Sequence, residues 1–140
     1  MSLHLVVPEE PSAADRDAVL TPLIAYNDSK VGAPRVQLIS ILLIDDNGGH
    51  VGGLWGKLSY DWLFIELVAV PEQHRKGGYG SKLMARAEQI AQDNDCAGIW
   101  LDTFEFQAKG FYEKLGFELF GELPNHPRGQ KRFFLRKILR

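Results

Sequence analysis

Between residues 62 and 91 the sequence passes from an apolar run through a glycine-rich turn into an amphipathic helix. The run WLFIELVAV (62–70) is nearly all apolar, as expected for a strand that is covered on both faces. The turn HRKGGYG (74–80) follows, and the apolar residues beyond it fall on one helical stripe, namely Leu83, Met84, Ala87, Ile90 and Ala91. This order predicts a crossover helix between two strands of one sheet.

The remaining segments predict a mixed α/β sheet formed by one domain over residues 1–140. A strand is expected at 3–7, followed by a helix at 12–30 with Ser12 as its N-cap and an interruption at Pro22. Asn47-Gly48-Gly49 predicts a hairpin between two strands, because these residues tolerate positive φ. Further elements are predicted by sequence pattern alone: a strand at 98–104, a short helix at 107–115, and two closing strands in FELFGEL (117–123) and KRFFLRKIL (131–139).

Composition excludes several classes of protein. The chain has 140 residues and a formal net charge of −2, so no basic excess exists to neutralise nucleic-acid phosphates. No apolar run is long enough to cross a membrane, and the N-terminus does not resemble a signal peptide. The single cysteine, Cys96, excludes an internal disulfide and fits a cytoplasmic location. The four histidines lack metal-ligand spacing, so no metal site is expected.

The glycine-rich turn has the features of an anion site. The first N–H groups of a helix have no intrahelical partner, and the helix dipole is positive at this end. Bare backbone at Gly77, Gly78 and Gly80 would let a bulky anion approach these amides, while Arg75 and Lys76 add positive charge. A pyrophosphate or a similar group fits this chemistry, and a plain strand-to-helix turn is the alternative.

Two motifs resemble those of the GNAT N-acetyltransferase superfamily. Residues 75–80 read Arg-x-x-Gly-x-Gly, the family's acetyl-CoA pyrophosphate signature, and GFYEKLGFELFGEL (110–123) resembles its helix-to-strand motif. The resemblance covers residues 50–123 and, through the order of elements, nearly the whole chain. It implies a single-domain α/β fold: a mixed, mostly antiparallel central sheet with a splayed parallel pair and flanking helices.

The resemblance also implies a binding site for acetyl-CoA, the acetyl donor. Backbone groups of Val68, Ala69 and Val70 would pair with the pantetheine amides. The groups that would surround the phosphates are Arg75, Lys76, Gly77, Gly78, Gly80 and Ser81. Many relatives place an Asn after the second parallel strand, and Gln107 is the candidate for that contact here.

Three residues are candidates for the chemistry that the resemblance implies. The Val68 amide would polarise the acyl oxygen, and Tyr112 would protonate the leaving thiolate, unless it is only a core residue. Glu66 is the one charge in the apolar strand, and alternation predicts that it is buried on the same face as Phe64 and Val68. It would serve either as the base that receives the amine proton or as a structural carboxylate.

The sequence thus predicts an acetyl-CoA-dependent N-acetyltransferase whose acceptor is a primary amine on a small molecule. A protein or peptide acceptor is one alternative, and a CoA-binding sensor or interaction module without turnover is another. A pocket edged by four acids would suit a cationic acceptor: Asp61, Glu66, Asp102 and Glu105. A homodimer, the commonest closed assembly, is an open alternative to a monomer.

Overall fold

The computed structural model describes residues 1–140, which form two compact units, 1–34 and 35–140. The first unit contains helix α1, Ala13–Val31. Its N-cap is Ser12, as predicted: the Ser12 hydroxyl accepts from the Asp15 N–H at 3.1 Å, and the Asp15 carboxylate accepts from the Ser12 N–H at 2.9 Å. This reciprocal capping box satisfies two of the helix's free donors.

Two predictions for the first unit are wrong. Residues 3–7 form no strand: all six strands of the protein lie between residues 37 and 138, and a strand without a partner cannot satisfy its backbone groups. Pro22 does not interrupt α1, because losing one N–H bond leaves the neighbouring helical bonds in place. None of the helices combines the length and apolar character that a transmembrane span requires.

The second unit is a six-stranded mixed sheet with helices. Its strands are β1 (Gln37–Ile44), β2 (His50–Ser59), β3 (Trp62–Ala69), β4 (Gly98–Phe104), β5 (Glu118–Pro124) and β6 (Lys131–Ile138). Their order is β1-β2-β3-β4-β6-β5, and every pair is antiparallel except β3–β4. Between β3 and β4 lie a 3-10 helix (Glu72–Gly77) and α2 (Tyr79–Asp93), and α3 (Lys109–Lys114) follows β4. The predicted mixed, mostly antiparallel sheet with a crossover helix is confirmed, as is the hairpin turn, where Gly48 has φ +79°.

Helices α2 and α3 pack on one side of the sheet, which we call the core face. Four residues of the predicted α2 stripe are buried there and the fifth, Ile90, is half-buried. The stripe meets strand residues that are at most 2% exposed: Leu63, Ile65, Ile99, Leu101 and Leu135. The opposite face carries half-buried aromatic residues, including Trp62, Phe64 and Trp100. The prediction that β3 is covered on both faces is therefore wrong: Leu67 is 62% exposed.

A β-bulge in β3 explains why the simple alternation fails. Trp55 of β2 lies opposite Leu67, but the next residue, Gly56, lies opposite Ile65, so Glu66 is an extra residue without a partner. One extra residue moves every following side chain of the strand to the face opposite the one that simple alternation predicts. Before the bulge Ile65 points to the core, and after it Val68 packs against the same core.

The parallel pairing of β3 with β4 stops halfway along the strands. The last paired residues are Ile65 and Leu101. Beyond them β3 stays paired with β2 as far as Ala69, and β4 stays paired with β6 as far as Phe104. The two strands therefore leave a gap, which we call the splay, between residues 66–69 and residues 102–104.

Candidate active site

The splay offers a free strand edge. Residues of β3 after Ile65 are hydrogen-bonded to β2 on one side only, so their backbone groups on the β4 side have no strand partner. An extended ligand that carries amides can bind to such an edge as an added strand. Val68 and Ala69 lie on this segment and Val70 directly follows it. Their predicted contact with a pantetheine chain is thus compatible with the fold and stays a prediction.

The three glycines at the start of α2 are required for different structural reasons. Gly78 has φ +74° with open space around it, and it is the N-cap of α2. At Gly77, a Cβ would lie 2.5 Å from the Tyr79 ring, and at Gly80 a Cβ would lie 3.2 Å from the Phe111 ring. Gly77 and Gly80 therefore allow close packing, while only Gly78 needs the left-handed backbone.

The N-terminus of α2 combines free amides with positive charge. Its hydrogen-bond ladder begins where the Lys82 N–H donates to the Gly78 carbonyl at 3.1 Å, so the amides before Lys82 precede the ladder. Arg75 joins this loop to the end of β3, because its Nε donates to the Val70 carbonyl at 3.1 Å. Lys76 and Ser81 are exposed beside it. Lys82, which sequence reasoning did not select, places its Nζ 5.1 Å from the centre of the Tyr79 ring.

Tyr112 lies on α3 next to Phe111, whose ring packs against Gly80 at the start of α2. Its ring is 9% exposed and packs edge-on against Phe111 and Phe117. Burial, and to a lesser degree the negative charge of Asp102, raises the pKa of the Tyr112 phenol. The only fully buried side-chain nitrogen or oxygen without a hydrogen-bond partner is His126 Nδ1, so the Tyr112 hydroxyl is not in that situation. The phenol stays protonated at neutral pH, as a proton donor must.

Gln107 has a structural role in the turn after β4. Its side-chain oxygen accepts from the Phe104 N–H at 2.7 Å and from the Thr103 hydroxyl at 3.2 Å. These bonds hold the turn that leads into α3. Only the amide NH₂ of Gln107 is left for the predicted contact with pantetheine, which stays a prediction.

Glu66 is not buried, contrary to the prediction from alternation. The bulge takes it out of register, and its side chain is exposed at the mouth of the splay. Phe64 and Val68, expected on one face with it, lie on opposite faces, because Val68 has moved to the core side. An exposed carboxylate needs no partner, so burial gives no reason to assign Glu66 a function.

The predicted acidic pocket does not form. Asp61 lies in the β2–β3 turn, at the opposite end of β3 from the splay. Asp102 is paired with Arg132, whose Nη2 lies 2.8 Å from Asp102 Oδ1. Glu105 accepts from the Lys131 N–H at 2.9 Å. Of the four acids only Glu66 stands without such a partner next to the splay.

A cavity of about 500 Å³ lies on the side of the sheet opposite the core face, and sequence reasoning did not find it. Its walls are formed by Ser59, Tyr60, Trp62, Trp100, Phe120 and Arg136. The Trp100 ring also stacks on Phe64, with the ring centres 4.1 Å apart. The available signal was the alternation of Trp62, Phe64 and Trp100 with core residues, which puts all three on one face.

Comparison with known proteins gives one consistent result. The profile of the acetyltransferase (GNAT) family matches residues 8–117. The chain is 33% identical over 135 residues to the Agrobacterium fabrum protein named Acetyltransferase Atu2258, covering 96% of this chain and 98% of that protein. It is also 33% identical over 124 residues to the blasticidin-S acetyltransferase of Streptomyces morookaense, covering 88% and 86%. The crystal structure of an acetyltransferase from Bacillus cereus superposes with a TM-score of 0.86 at 31% identity, covering 96% and 98%.

Proposed function

Because the chain belongs to the GNAT acetyltransferase family and is therefore an acetyl-CoA-dependent acetyltransferase, we propose that it acetylates a primary amine on a small molecule. The observation that carries the proposal is the splay, which opens directly beside the free amides of the α2 N-terminus. We further propose that residues 1–140 act as one domain, since the family match crosses the boundary between the two compact units.

In the proposed complex the donor lies along two elements. The pantetheine arm pairs with the backbone of Val68, Ala69 and Val70. The pyrophosphate is held by the loop residues Arg75, Lys76, Gly77, Gly78, Gly80 and Ser81, mainly through N–H groups at a positive helix end. The side-chain NH₂ of Gln107 supplies a further contact. Arg75 supports this arrangement because it ties the loop to Val70, where the two elements meet.

In the proposed reaction, three residues of the chain stabilise the developing charge and transfer protons. The amine nitrogen forms a bond to the acyl carbon, and the carbon–sulfur bond breaks. The Val68 N–H stabilises the charge that develops on the acyl oxygen. The Tyr112 hydroxyl gives its proton to the departing sulfur, for which its raised pKa suits it. Glu66, exposed at the mouth of the splay, receives the amine proton directly or through water.

A small-molecule acceptor is supported by the relative from Streptomyces morookaense, whose name records an acetyltransferase for blasticidin S. That relative matches most of the chain, so the support extends over the whole proposed site. A protein or peptide acceptor is the alternative within the same family. The single, buried Cys96 supports a cytoplasmic location as part of the proposal.

Thermal unfolding with and without saturating acetyl-CoA tests donor binding. Binding at 100 times Kd adds about 2.7 kcal/mol to the free energy of unfolding, so we expect the wild-type melting temperature to rise by several degrees. Gly78→Glu should lose this rise, because a carboxylate would stand where the pyrophosphate binds.

Gly129→Glu is the matched control, since Gly129 also has positive φ and open space but lies in the β5–β6 loop. It should keep the rise in melting temperature despite a similar loss of basal stability. A wild-type protein that acetyl-CoA does not stabilise would overturn the proposed site.

A further inference from the structure

Asp102 is the first residue of β4 beyond its last pairing with β3, so it stands at the start of the splay. We propose that one oxygen of its carboxylate, Oδ2, binds the amine group of the acceptor and positions it for attack on the acetyl group. This inference rests on the proposed function, because it names a residue that holds the acceptor in the same active site. It concerns a single acid and does not need the pocket of four acids, which does not form.

The side chain of Asp102 points to the side of the sheet from which an acceptor can approach. Ile99, Leu101 and Thr103 alternate with it along β4 and are buried on the core face, so Asp102 lies on the opposite face. In the proposed complex the pyrophosphate lies at the N-terminus of α2, and α2 packs on the core face. The donor thus fills the core-face side of the splay and leaves the other side to the acceptor.

One oxygen of Asp102 is bonded within the protein and the other is free. Arg132 donates to Oδ1 from both Nε, at 3.0 Å, and Nη2, at 2.8 Å. No other hydrogen bond of the protein reaches this carboxylate, so Oδ2 has no partner. Because His126 Nδ1 is the only fully buried side-chain nitrogen or oxygen without a partner, Oδ2 is accessible to a ligand.

Arg132 holds the carboxylate in place. Its guanidinium lies 5.4 Å from the centre of the Phe104 ring and 5.4 Å from the centre of the Phe134 ring. Two bonds to one oxygen and two cation–π contacts restrict the rotation of both side chains in the pair. Oδ2 therefore needs little further ordering when a ligand binds, which lowers the entropic cost of holding an amine.

Asp102 also lies close to the groups proposed for the chemistry. After burial, its negative charge is the second cause of the raised pKa of the Tyr112 phenol, as expected if the two groups face the same space. The bulge makes Leu67 follow Ile65 by one step of β2, so Val68 stands two steps beyond the last parallel pair and Asp102 one step. One step is roughly 3.3 Å. An amine that attacks beside the Val68 N–H is therefore within one residue of Asp102 along the strands.

Two thioethers of coenzyme A test the proposal without knowledge of the natural acceptor. In S-(2-aminoethyl)-CoA an ammonium group follows the sulfur at the position of the attacking amine, and in S-propyl-CoA a methyl group of similar size replaces it. Calorimetric titration of the wild type should give a roughly tenfold lower Kd for the aminoethyl compound, because its ammonium donates to the carboxylate. Asp102→Asn should remove this preference while the Kd for S-propyl-CoA stays near wild type.

Two further variants separate ligand binding from the structural role of Asp102. Arg132→Gln breaks the same ion pair but keeps the carboxylate, so it should retain most of the preference for the aminoethyl compound. Asp61→Asn makes the same change of net charge in the β2–β3 turn, at the other end of β3, and should retain the whole preference. Loss of the preference in both Asp102→Asn and Arg132→Gln would assign the effect to the ion pair and overturn the inference.

The remaining outcomes are also decisive. Equal Kd values for the two thioethers in the wild type, or a preference that survives Asp102→Asn, would overturn the inference. The CoA moiety would still bind in these cases, so the acetyltransferase proposal would stand. Failure of the proposed function would instead appear as a protein that binds neither thioether and is not stabilised by acetyl-CoA.

Discussion

The two halves of the β3–β4 pair differ in almost every physical respect. In the first half, Trp62–Ile65 pairs with Gly98–Leu101, and the inward side chains are at most 2% exposed. In the second half the same strands no longer pair, Leu67 and Glu66 are exposed, and Asp102 needs an ion pair with Arg132. Two neighbouring strands thus provide buried structure at one end and unpaired backbone at the other.

This difference shows how a stable sheet can keep an open ligand edge. β2 and β6 stay paired with the outer sides of β3 and β4 throughout the splay, so neither strand is free to move into the gap. The hydrogen bonds missing from the second half are those that a ligand can make. The comparison predicts that substitutions in the first half act on stability, whereas those next to the second half act on turnover.

The largest effect is expected from Tyr112→Phe, next to the second half. If Tyr112 gives its proton to the sulfur, removing its hydroxyl should lower kcat by roughly 10²–10⁴-fold, while the melting temperature and the stabilisation by acetyl-CoA change little because the ring packing is kept. Steady-state kinetics and thermal unfolding would measure this. Wild-type turnover in the variant would make Tyr112 a packing residue and water the proton source.

In the first half, Leu63→Ala should lower the free energy of unfolding by about 2–5 kcal/mol, because Leu63 has no exposed surface and truncation leaves a cavity. Leu67→Ala, on the same strand but 62% exposed, is the matched control and should stay within about 0.5 kcal/mol of wild type. Urea unfolding compares them. Similar losses in both variants would contradict the division of β3 into two halves.

Glu66→Gln tests the exposed acid at the mouth of the splay. If Glu66 accepts the amine proton, turnover at neutral pH should fall roughly 10²-fold and partly recover at higher pH, where the amine arrives already deprotonated. Stability should not change, since the side chain is exposed. Glu113→Gln, on the exposed side of α3, is the control. A pH profile that parallels wild type would leave Glu66 without a role in proton transfer.

The smallest effect concerns alkaline pH. Burial raises the pKa of the Cys96 thiol, and burial with Asp102 raises the pKa of Tyr112. A group whose pKa is higher in the folded than in the unfolded protein stabilises the fold when the pH is below its unfolded-state pKa. This stabilisation is lost as the pH rises through the folded-state pKa. The free energy of unfolding should therefore be flat up to about pH 8.5 and decline above it. Cys96→Ala should delay the decline to about pH 10, and an unchanged onset would contradict the assignment.

Much of the second unit could be predicted from the sequence because local patterns agree with the final packing. The α2 stripe and the Asn47-Gly48-Gly49 turn depend on residues close in sequence, and both are confirmed. The bulge at Glu66 could not be predicted, because it arises from the register between β2 and β3. The strand expected at 3–7 failed for a related reason, since apolar alternation does not provide a partner.

Sequence patterns indicated the local segments of the candidate site but not the features that depend on residues far apart in the chain. The segments around Gly78 and Tyr112 were selected because each forms a local motif, and their roles stay predictions. The cavity around Trp62 and Arg136 was missed, because it joins residues from five strands and a turn that lie far apart in sequence. The acidic pocket was wrong because charge alone does not show that Asp102 already has a partner in Arg132.

The extra residue in β3 makes chain length at this point as important as residue identity. Replacing Glu66 changes one exposed side chain, but deleting it would restore a continuous register between β2 and β3. Leu67 and Val68 would then stay opposite Trp55 and Leu54 and keep their faces, but the bend that the bulge gives β3 at the start of the splay would be lost. Natural variation in this protein should therefore permit substitutions at position 66 far more readily than insertions or deletions.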